Sequence, residues 1–379
     1  MFTVGDPVPW FEAPTPLRPD FSFASAAGRY VVLSFIGSAA LPAMAAMLGR
    51  LKGHALFDDD FAAVFAVSCD TGDEREGRIA QHVPGFRVFW DFKAQIAAAY
   101  GLVSPGAKEG SMNLAATTFV LDGRMRVLAV MPIDNPATHD AQLIEFLSRL
   151  PKASTAGPAP VLVLPRLFEP EFCKALIAVY RRDGGKPSGF MRTDPNTGKT
   201  ILKLDLAFKR RQDCELTDPA LIAEINARLS RRLVPELRKV FQFEATHMER
   251  YIVARYEAGE GGFFRAHRDN TTKGTAHRRF AVTVNLNAEE YEGGDLCFPE
   301  FGWNTYRAPT GGAVAFSCSL LHEATPVKKG ERYCFLPFLY DEAAAKIREE
   351  NLKFLDTAAA DPKPVAASEP AKAESSAAE

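Results

Sequence analysis

His267-Arg268-Asp269 sets an imidazole and a carboxylate two residues apart. On a strand, residues i and i+2 point to the same face, so these two side chains can converge on one ion. His322 follows 53 residues after Asp269, within Leu320-Leu321-His322-Glu323-Ala324 and just past the strand-like run Ala313 to Phe316. Two imidazoles and one carboxylate make up a facial triad, which leaves three adjacent positions on Fe(II) for a bidentate cosubstrate and dioxygen. Arg332, ten residues past His322, opens another strand-like run that ends at Leu339. From a neighbouring strand its guanidinium can form a two-pronged pair with a carboxylate. An HxD triplet alone is a weak signal; the later His and Arg give it weight. The other histidines (His54, His82, His139, His247 and His277) read as surface or core-edge residues.

These residues need a β-rich frame, and their surroundings supply one. Between Tyr251 and Leu339, short strand-like runs are separated by Gly261-Gly262, Gly293-Gly294, Gly311-Gly312 and Lys329-Gly330, the pattern of a β-sandwich or jelly roll. A strand at Val161 to Leu164 and helices around Pro170 to Tyr180 and Pro219 to Val240 precede it. Lys186 to Asp205, with a turn at Asp194-Pro195-Asn196-Thr197-Gly198, reads as a hairpin or loop. Lys209-Arg210-Arg211 and Arg231-Arg232 read as a solvated face, the alternative being a rim that receives an acidic protein or peptide.

Tyr256, His267-x-Asp269, Glu292-Gly293-Gly294-Asp295, Phe298-Pro299, Gly311-Gly312, His322 and Gly330-x-Arg332-Tyr333 occur in this order. Together they resemble the prolyl 4-hydroxylase-type Fe(II)/2-oxoglutarate dioxygenases, over about Val161 to Tyr340. The resemblance implies an α+β domain with a double-stranded β-helix (jelly roll) core. It assigns His267, Asp269 and His322 as iron ligands, Arg332 to the distal carboxylate of 2-oxoglutarate, and Tyr256 to a hydrogen bond with the same cosubstrate. Asn285 falls where some relatives place a second Tyr. The implied reaction hydroxylates an unactivated C–H bond, releases succinate and carbon dioxide, and takes ascorbate as an accessory reductant. A prolyl residue of a protein or peptide is the expected target, with a small molecule or free amino acid as the alternative. In this family the region matching Lys186 to Asp205 often folds over substrate, which makes it a candidate lid.

The first 150 residues alternate strand and helix. Strands are expected at Tyr30 to Ile36, Phe61 to Ser68 and Phe86 to Trp90, and helices at Pro42 to Leu51 and near Glu74 to His82. Asp91 should cap a helix ending at Tyr100-Gly101, and Asp122-Gly123 should turn a hairpin between Thr117 to Leu121 and Met125 to Val130. A last helix runs to Leu150. The order βαβαβαββα predicts an α/β layer fold with an antiparallel edge.

Val4-Gly5-Asp6-Pro7-Val8-Pro9, Val67-Ser68-Cys69-Asp70, Ala98-Ala99-Tyr100-Gly101 and Thr118-Phe119-Val120-Leu121-Asp122-Gly123 resemble peroxiredoxins of the alkyl hydroperoxide reductase type. That likeness implies a thioredoxin-like fold. Peroxiredoxins carry a nucleophilic Cys at the start of the helix after the first long strand, where the helix N-terminus favours the thiolate. Here the segment is Gly37-Ser38-Ala39-Ala40-Leu41-Pro42-Ala43-Met44, without a Cys. Ala115-Ala116-Thr117 stand where the family usually has an Arg. The domain's one thiol, Cys69, ends a buried strand-like run. Residues 1–150 are therefore expected not to be a peroxidase, leaving scaffolding, homodimerisation or substrate docking.

Composition limits the remaining choices. The 379 residues, 47% apolar and 24% charged, fit two domains with sizeable cores. A net charge of −2 argues against a general nucleic-acid binder, and no apolar run approaches the roughly 20 residues of a membrane span. With no signal peptide visible at Met1 to Trp10, a cytoplasmic location is expected. The six cysteines, scattered without a CxxC pair, read as reduced thiols. Expected boundaries are a linker at 151–160, an oxygenase domain at 161–345 and a disordered tail at 357–379. A non-catalytic interaction protein built on both folds is the competing class.

Overall fold

Tyr30–Gly37 (β1) is apolar along nearly its whole length because both of its faces are covered. After it come Pro42–Lys52 (α1), Ala62–Ser68 (β2), Phe86–Trp90 (β3), Thr117–Leu121 (β4), Val127–Pro132 (β5) and Pro136–Ser148 (α2). The sheet order is β3-β2-β1-β4-β5, with β1, β2 and β3 parallel and β4 and β5 antiparallel. Met47, Leu51, Leu143 and Leu147 of the two helices pack on Val32, Val64, Val88 and Val120. Alternate residues face the other way into an aromatic layer, in which Phe65 and Phe89 stack at 5.1 Å. This is the thioredoxin-like arrangement expected of the first half.

Local differences have physical reasons. The helix expected near Glu74 to His82 is instead Thr71–Arg75: the Asp70 carboxylate caps it by accepting from Gly72 N, and Gly77 follows at φ +64°. Asp91 does not occupy the N-cap position. Its carboxylate accepts from Gln95 N and Ala97 N at the start of the helix Gln95–Ala99. A hairpin of Glu12–Thr15 with Arg18–Ser22 was not anticipated.

The structure is a computed structural model and describes residues 1–106, 112–152, 157–194, 196–356 and 365–366. Two compact units are distinguished: Met1–Ala159 with Phe298–Asn304, and Pro160–Cys297 with Thr305–Glu379. Residues 153–156 of the expected linker, Pro195, and most of the expected tail lie outside the described residues; Val365–Ala366 pairs with His247–Glu249.

The second unit contains, in order, Leu162–Leu164 (β6), Pro170–Asp183 (α3), Phe190–Thr193 (β7), Thr200–Lys203 (β8), Lys209–Arg210 (β9) and Gln212–Glu215 (β10). There follow Pro219–Arg232 (α4), Val234–Phe241 (α5), His247–Glu249 (β11), Ile252–Glu257 (β12), Phe263–His267 (β13) and Phe280–Asn285 (β14). Ala313–Ser317 (β15), His322–Ala324 (β16), Glu331–Phe335 (β17) and Phe338–Tyr340 (β18) complete the set used below. The single helix expected over Pro219 to Val240 is two, because Pro235 starts a new first turn after Leu233. Strands β7 and β8 form the expected hairpin.

A larger sheet runs β10-β12-β17-β14-β18-β11 through its centre, and a five-stranded sheet begins β9-β13-β16. Strand alternation decides which side chains meet. On the larger sheet, Val253, Tyr333 and Phe335 pack with Leu176, Ile225 and Leu229 of the helices. Ala254, Tyr256 and Cys334 face the opposite way and pack with Phe264 and Ala324 of the smaller sheet. Arg332, one residue before Tyr333, shares that inner side. No helix of the described residues is long and apolar enough to cross a membrane.

Candidate metal centre

Strand β13 ends at His267, so strand alternation does not by itself place Asp269. The Asp269 backbone N–H is held instead by the Cys318 carbonyl at 3.0 Å, in the segment leading to β16. Strand β16 lies antiparallel to β13, with His322 directly opposite His267. The three side chains therefore converge. Asp269 Oδ1 lies 3.4 Å from His267 Nε2, and Oδ2 lies 3.3 Å from His322 Nε2. One donor atom from each residue falls within 4.8 Å of the other two.

The second ring nitrogens fix how the imidazoles face. His267 Nδ1 donates to the Arg265 carbonyl at 2.8 Å, and His322 Nδ1 to the Leu320 carbonyl at 3.0 Å. A carbonyl only accepts, so each Nδ1 carries a proton, and it is Nε2 of each ring that is turned to the centre, where the neutral form offers a lone pair. Phe264 stacks on His267 at 3.6 Å, and Phe316 meets His322 edge-on at 4.6 Å. Burial pushes the His322 imidazole down to about 4 against the pull of Asp269, so it is neutral near pH 7. Burial alone would raise the Asp269 carboxyl, but the two imidazoles outweigh it and hold the group well below the usual range. Two imidazoles with a carboxylate, and no thiolate among them, suit non-haem Fe(II).

The same pocket is lined by Arg332 and Tyr256 from the larger sheet. The two residues sit opposite each other on β17 and β12, with the guanidinium carbon 5.0 Å from the ring centroid. Arg332 is 2% exposed, and its Nε and Nη1 have no hydrogen-bond partner among the described residues. Leaving such donors unpaired is costly, and an anionic ligand would satisfy them. Gly294, at φ +67°, makes the approach possible: a Cβ there would stand 2.8 Å from Val327 Cγ2 and 3.1 Å from Arg332 Cδ. The Asn285 side chain is used within the protein, donating to the Ala308 carbonyl at 2.6 Å and accepting from the Tyr291 hydroxyl at 3.4 Å.

The reading of Lys209-Arg210-Arg211 as a solvated face needs correction. Arg210 is exposed, but Lys209 and Arg211 are 3% and 7% exposed, and Arg211 lines the pocket. Inward positions alternate with an outward one, and the buried charge is met by Asp213, which accepts two 2.7 Å bonds from Arg211. The signal available in sequence was Arg211-x-Asp213, opposite charges two residues apart. His277, expected at a surface or core edge, is buried and donates to Glu249 at 2.9 Å; it is not among the converging groups. Arg232 is half-exposed and pairs with Glu169.

In the first unit, the stretch after β1 is closed by its own chain. The Ser38 hydroxyl donates to Asp70 at 2.6 Å, and Ala39 N donates to Asp73 at 2.9 Å. Ser68 and Arg78 also donate to Asp73, at 2.7 and 3.2 Å. Burial, aided by Asp91, pushes the Cys69 thiol up to about 12, the reverse of an activated nucleophile.

Residues 251–340 match the family model of the 2OG-Fe(II) oxygenase superfamily, and residues 4–130 match that of the AhpC/TSA family. The chain is 31% identical over 112 residues to a PKHD-type hydroxylase of Phenylobacterium zucineum, covering 27% of this chain and 48% of that protein. It is 36% identical over 86 residues to a PKHD-type hydroxylase of Burkholderia lata, covering 21% and 37%. The chain thus spans about half or less of the length of these curated relatives. Among solved structures it is similar to a prolyl-4-hydroxylase of Pseudomonas putida, with TM-score 0.38, 17% identity and coverage of 53% of this chain and 98% of that one. It is also similar to the peroxidoxin BcpB of Mycobacterium tuberculosis, with TM-score 0.35, 21% identity and coverage of 40% and 99%.

Proposed function

We propose, for a chain whose residues 251–340 match the 2OG-Fe(II) oxygenase superfamily and whose residues 4–130 match the AhpC/TSA family, that it is an Fe(II)- and 2-oxoglutarate-dependent dioxygenase. The observation that carries this reading is the convergence of His267, Asp269 and His322 in one pocket with a buried Arg332 whose Nε and Nη1 are unpaired among the described residues. In this reading the two sheets bearing these residues are the faces of a double-stranded β-helix.

The two Nε2 atoms and the Asp269 carboxylate would hold the iron, their orientation fixed by the Arg265 and Leu320 carbonyls and the Cys318 contact. The bound metal supplies the oxidative chemistry that couples 2-oxoglutarate decarboxylation to C–H hydroxylation, giving succinate and carbon dioxide. Arg332 pairs with the distal carboxylate of 2-oxoglutarate through a two-pronged contact, and Tyr256 donates a hydrogen bond to the same molecule. Phe264, Leu296 and Phe316 line the pocket and exclude water from it. Ascorbate serves as an accessory reductant.

The proposed target is a prolyl residue of a protein or peptide in the cytoplasm. The naming of the curated relatives as hydroxylases and the prolyl 4-hydroxylase-like motifs support it. Residues 1–150, joined through 151–160, serve this domain as scaffold or homodimer contact rather than as a peroxidase. The test is proteome mass spectrometry of host cells with the protein present, absent or carrying His267→Ala. Peptides that gain one oxygen on proline only with the intact protein are the expected result. A proteome unchanged on proline, with oxygen gained on a free amino acid or other small metabolite instead, rejects the peptide target.

A further inference from the structure

We propose that Arg211, anchored by Asp213, is a positioning residue for 2-oxoglutarate: it fixes the Tyr256 hydroxyl so that its proton is donated to the cosubstrate. The inference rests on the reading of the pocket given under Proposed function and extends it to residues outside the expected ligand set. The Arg211 Nη1–H donates to the Tyr256 hydroxyl oxygen at 3.3 Å. The remaining face of the guanidinium is committed elsewhere, with Nε and Nη2 each donating to Asp213 at 2.7 Å. The fork therefore cannot swing away without breaking two charge-assisted bonds.

A phenol has one proton and two lone pairs. With one lone pair engaged by Arg211, the hydroxyl is biased towards donating its proton to an acceptor in the pocket. Burial raises the Tyr256 hydroxyl above its ordinary value, with Arg211 opposing, so the proton is retained near neutral pH. The Tyr256 ring contacts two guanidinium groups, with Arg332 at 5.0 Å and Arg211 at 5.7 Å from its centroid. Arg332 brings Nε–H and Nη1–H without partners among the described residues, and Tyr256 brings one oriented O–H. Such a set of donors suits the distal carboxylate of the cosubstrate and disfavours a ligand that presents donors there.

Asp213 is itself built in. It accepts from the Ser188 hydroxyl at 2.5 Å, and Ser188 accepts from Lys209 Nζ at 2.7 Å. Lys209, Ser188, Asp213, Arg211 and Tyr256 therefore form a continuous chain of polar contacts ending in the pocket.

The test is calorimetric titration of 2-oxoglutarate into the full chain loaded with Mn(II), which binds without turnover. Tyr256→Phe and Arg211→Gln are each expected to weaken binding about tenfold, the scale of one hydrogen bond to a charged partner. Because both remove the same contact, the double variant is expected to lose about tenfold as well, not about a hundredfold. Mn(II) affinity should stay within about twofold of wild type, which a general collapse of the pocket would not allow. Arg211→Lys retains a buried charge against Asp213 and guards against misfolding; without the fork it should show the same loss. Wild-type affinity in Tyr256→Phe, or losses that multiply in the double variant, overturns the proposal. Failure of the reading beneath it looks different: wild type would not bind 2-oxoglutarate, or Arg332→Ala would bind it normally.

Discussion

Two polar corners of this molecule, one in each unit, are built from similar groups and left in opposite states. After β1, the Asp73 carboxylate is 0% exposed and is satisfied by Ala39 N, Ser68 and Arg78, with Asp70 taking Ser38 beside it. In the second unit's pocket, His267 and His322 turn their Nε2 atoms towards Asp269, and buried Arg332 keeps two N–H groups unpaired among the described residues. Burying unpaired donors costs stability, whereas pairing them inside the chain recovers it. A corner closed by its own side chains contributes to folding; a corner held open is a place for a ligand.

The contrast can be tested in order of expected effect. His267→Ala and Asp269→Ala should reduce 2-oxoglutarate-dependent succinate formation to background and abolish Fe(II) binding measured by titration. Arg332→Ala should weaken 2-oxoglutarate on the order of a hundredfold. It should leave the urea midpoint near or above that of wild type, because it removes a buried charge whose Nε and Nη1 have no hydrogen-bond partner among the described residues. Asp73→Ala should do the reverse: about 2 kcal/mol off unfolding stability by urea titration, with 2-oxoglutarate affinity unchanged. That figure is set below the loss for a fully buried pair because Arg78 is 26% exposed and keeps Asp70 and Glu76. Equal stability losses in Asp73→Ala and Arg332→Ala would erase the distinction between the corners. The smallest effect belongs to Cys69. With its thiol pushed up to about 12, the protonated form dominates up to the folded value and the thiolate appears only above it. Hydroperoxide consumption by the full chain at pH 7 should be negligible, and Cys69→Ser should change nothing; consumption lost in Cys69→Ser would reopen the first unit as a redox centre.

A third cluster provides a pH check on the closed kind. Glu249 on β11 accepts from His277 at 2.9 Å and Arg278 at 2.6 Å. Burial alone would raise its carboxyl, but Arg278 and His277 outweigh that and hold it well below the usual range. A depressed carboxylate stabilises the fold above its unfolded value of about 4.3, and the contribution disappears as pH falls towards the folded value. The stability gap between wild type and Glu249→Gln, measured by urea titration, should therefore be full at pH 7 and shrink below about pH 4.

Much of this was legible from residue order. The triad could be read because its members are few in type, their spacing is local for two of them, and glycine-punctuated strands bracket the third. Arg332 was legible because it opens a strand-like run ten residues past His322, within Gly330-x-Arg332-Tyr333. Arg211 was not, since a run of three basic residues looks solvated until the partner strand covers two of them. Asp269 was assigned rightly to the converging set, but on a geometric premise that does not hold: it lies past the end of β13 and is placed by Cys318, a contact 49 residues away that no local pattern encodes. Helix ends failed where side chains overrode periodicity, as at Asp70 and Pro235. The unanticipated Glu12–Thr15 hairpin has too little alternation in four residues to declare itself.

The most direct measurement of the central claim is succinate release from 2-oxoglutarate by the anaerobically Fe(II)-loaded full chain after oxygen is admitted, compared across wild type, His267→Ala and Arg332→Ala. The account predicts succinate from wild type, none from His267→Ala, and recovery in Arg332→Ala only at greatly raised 2-oxoglutarate. Undiminished release from His267→Ala, or none from an iron-loaded wild type, would contradict it.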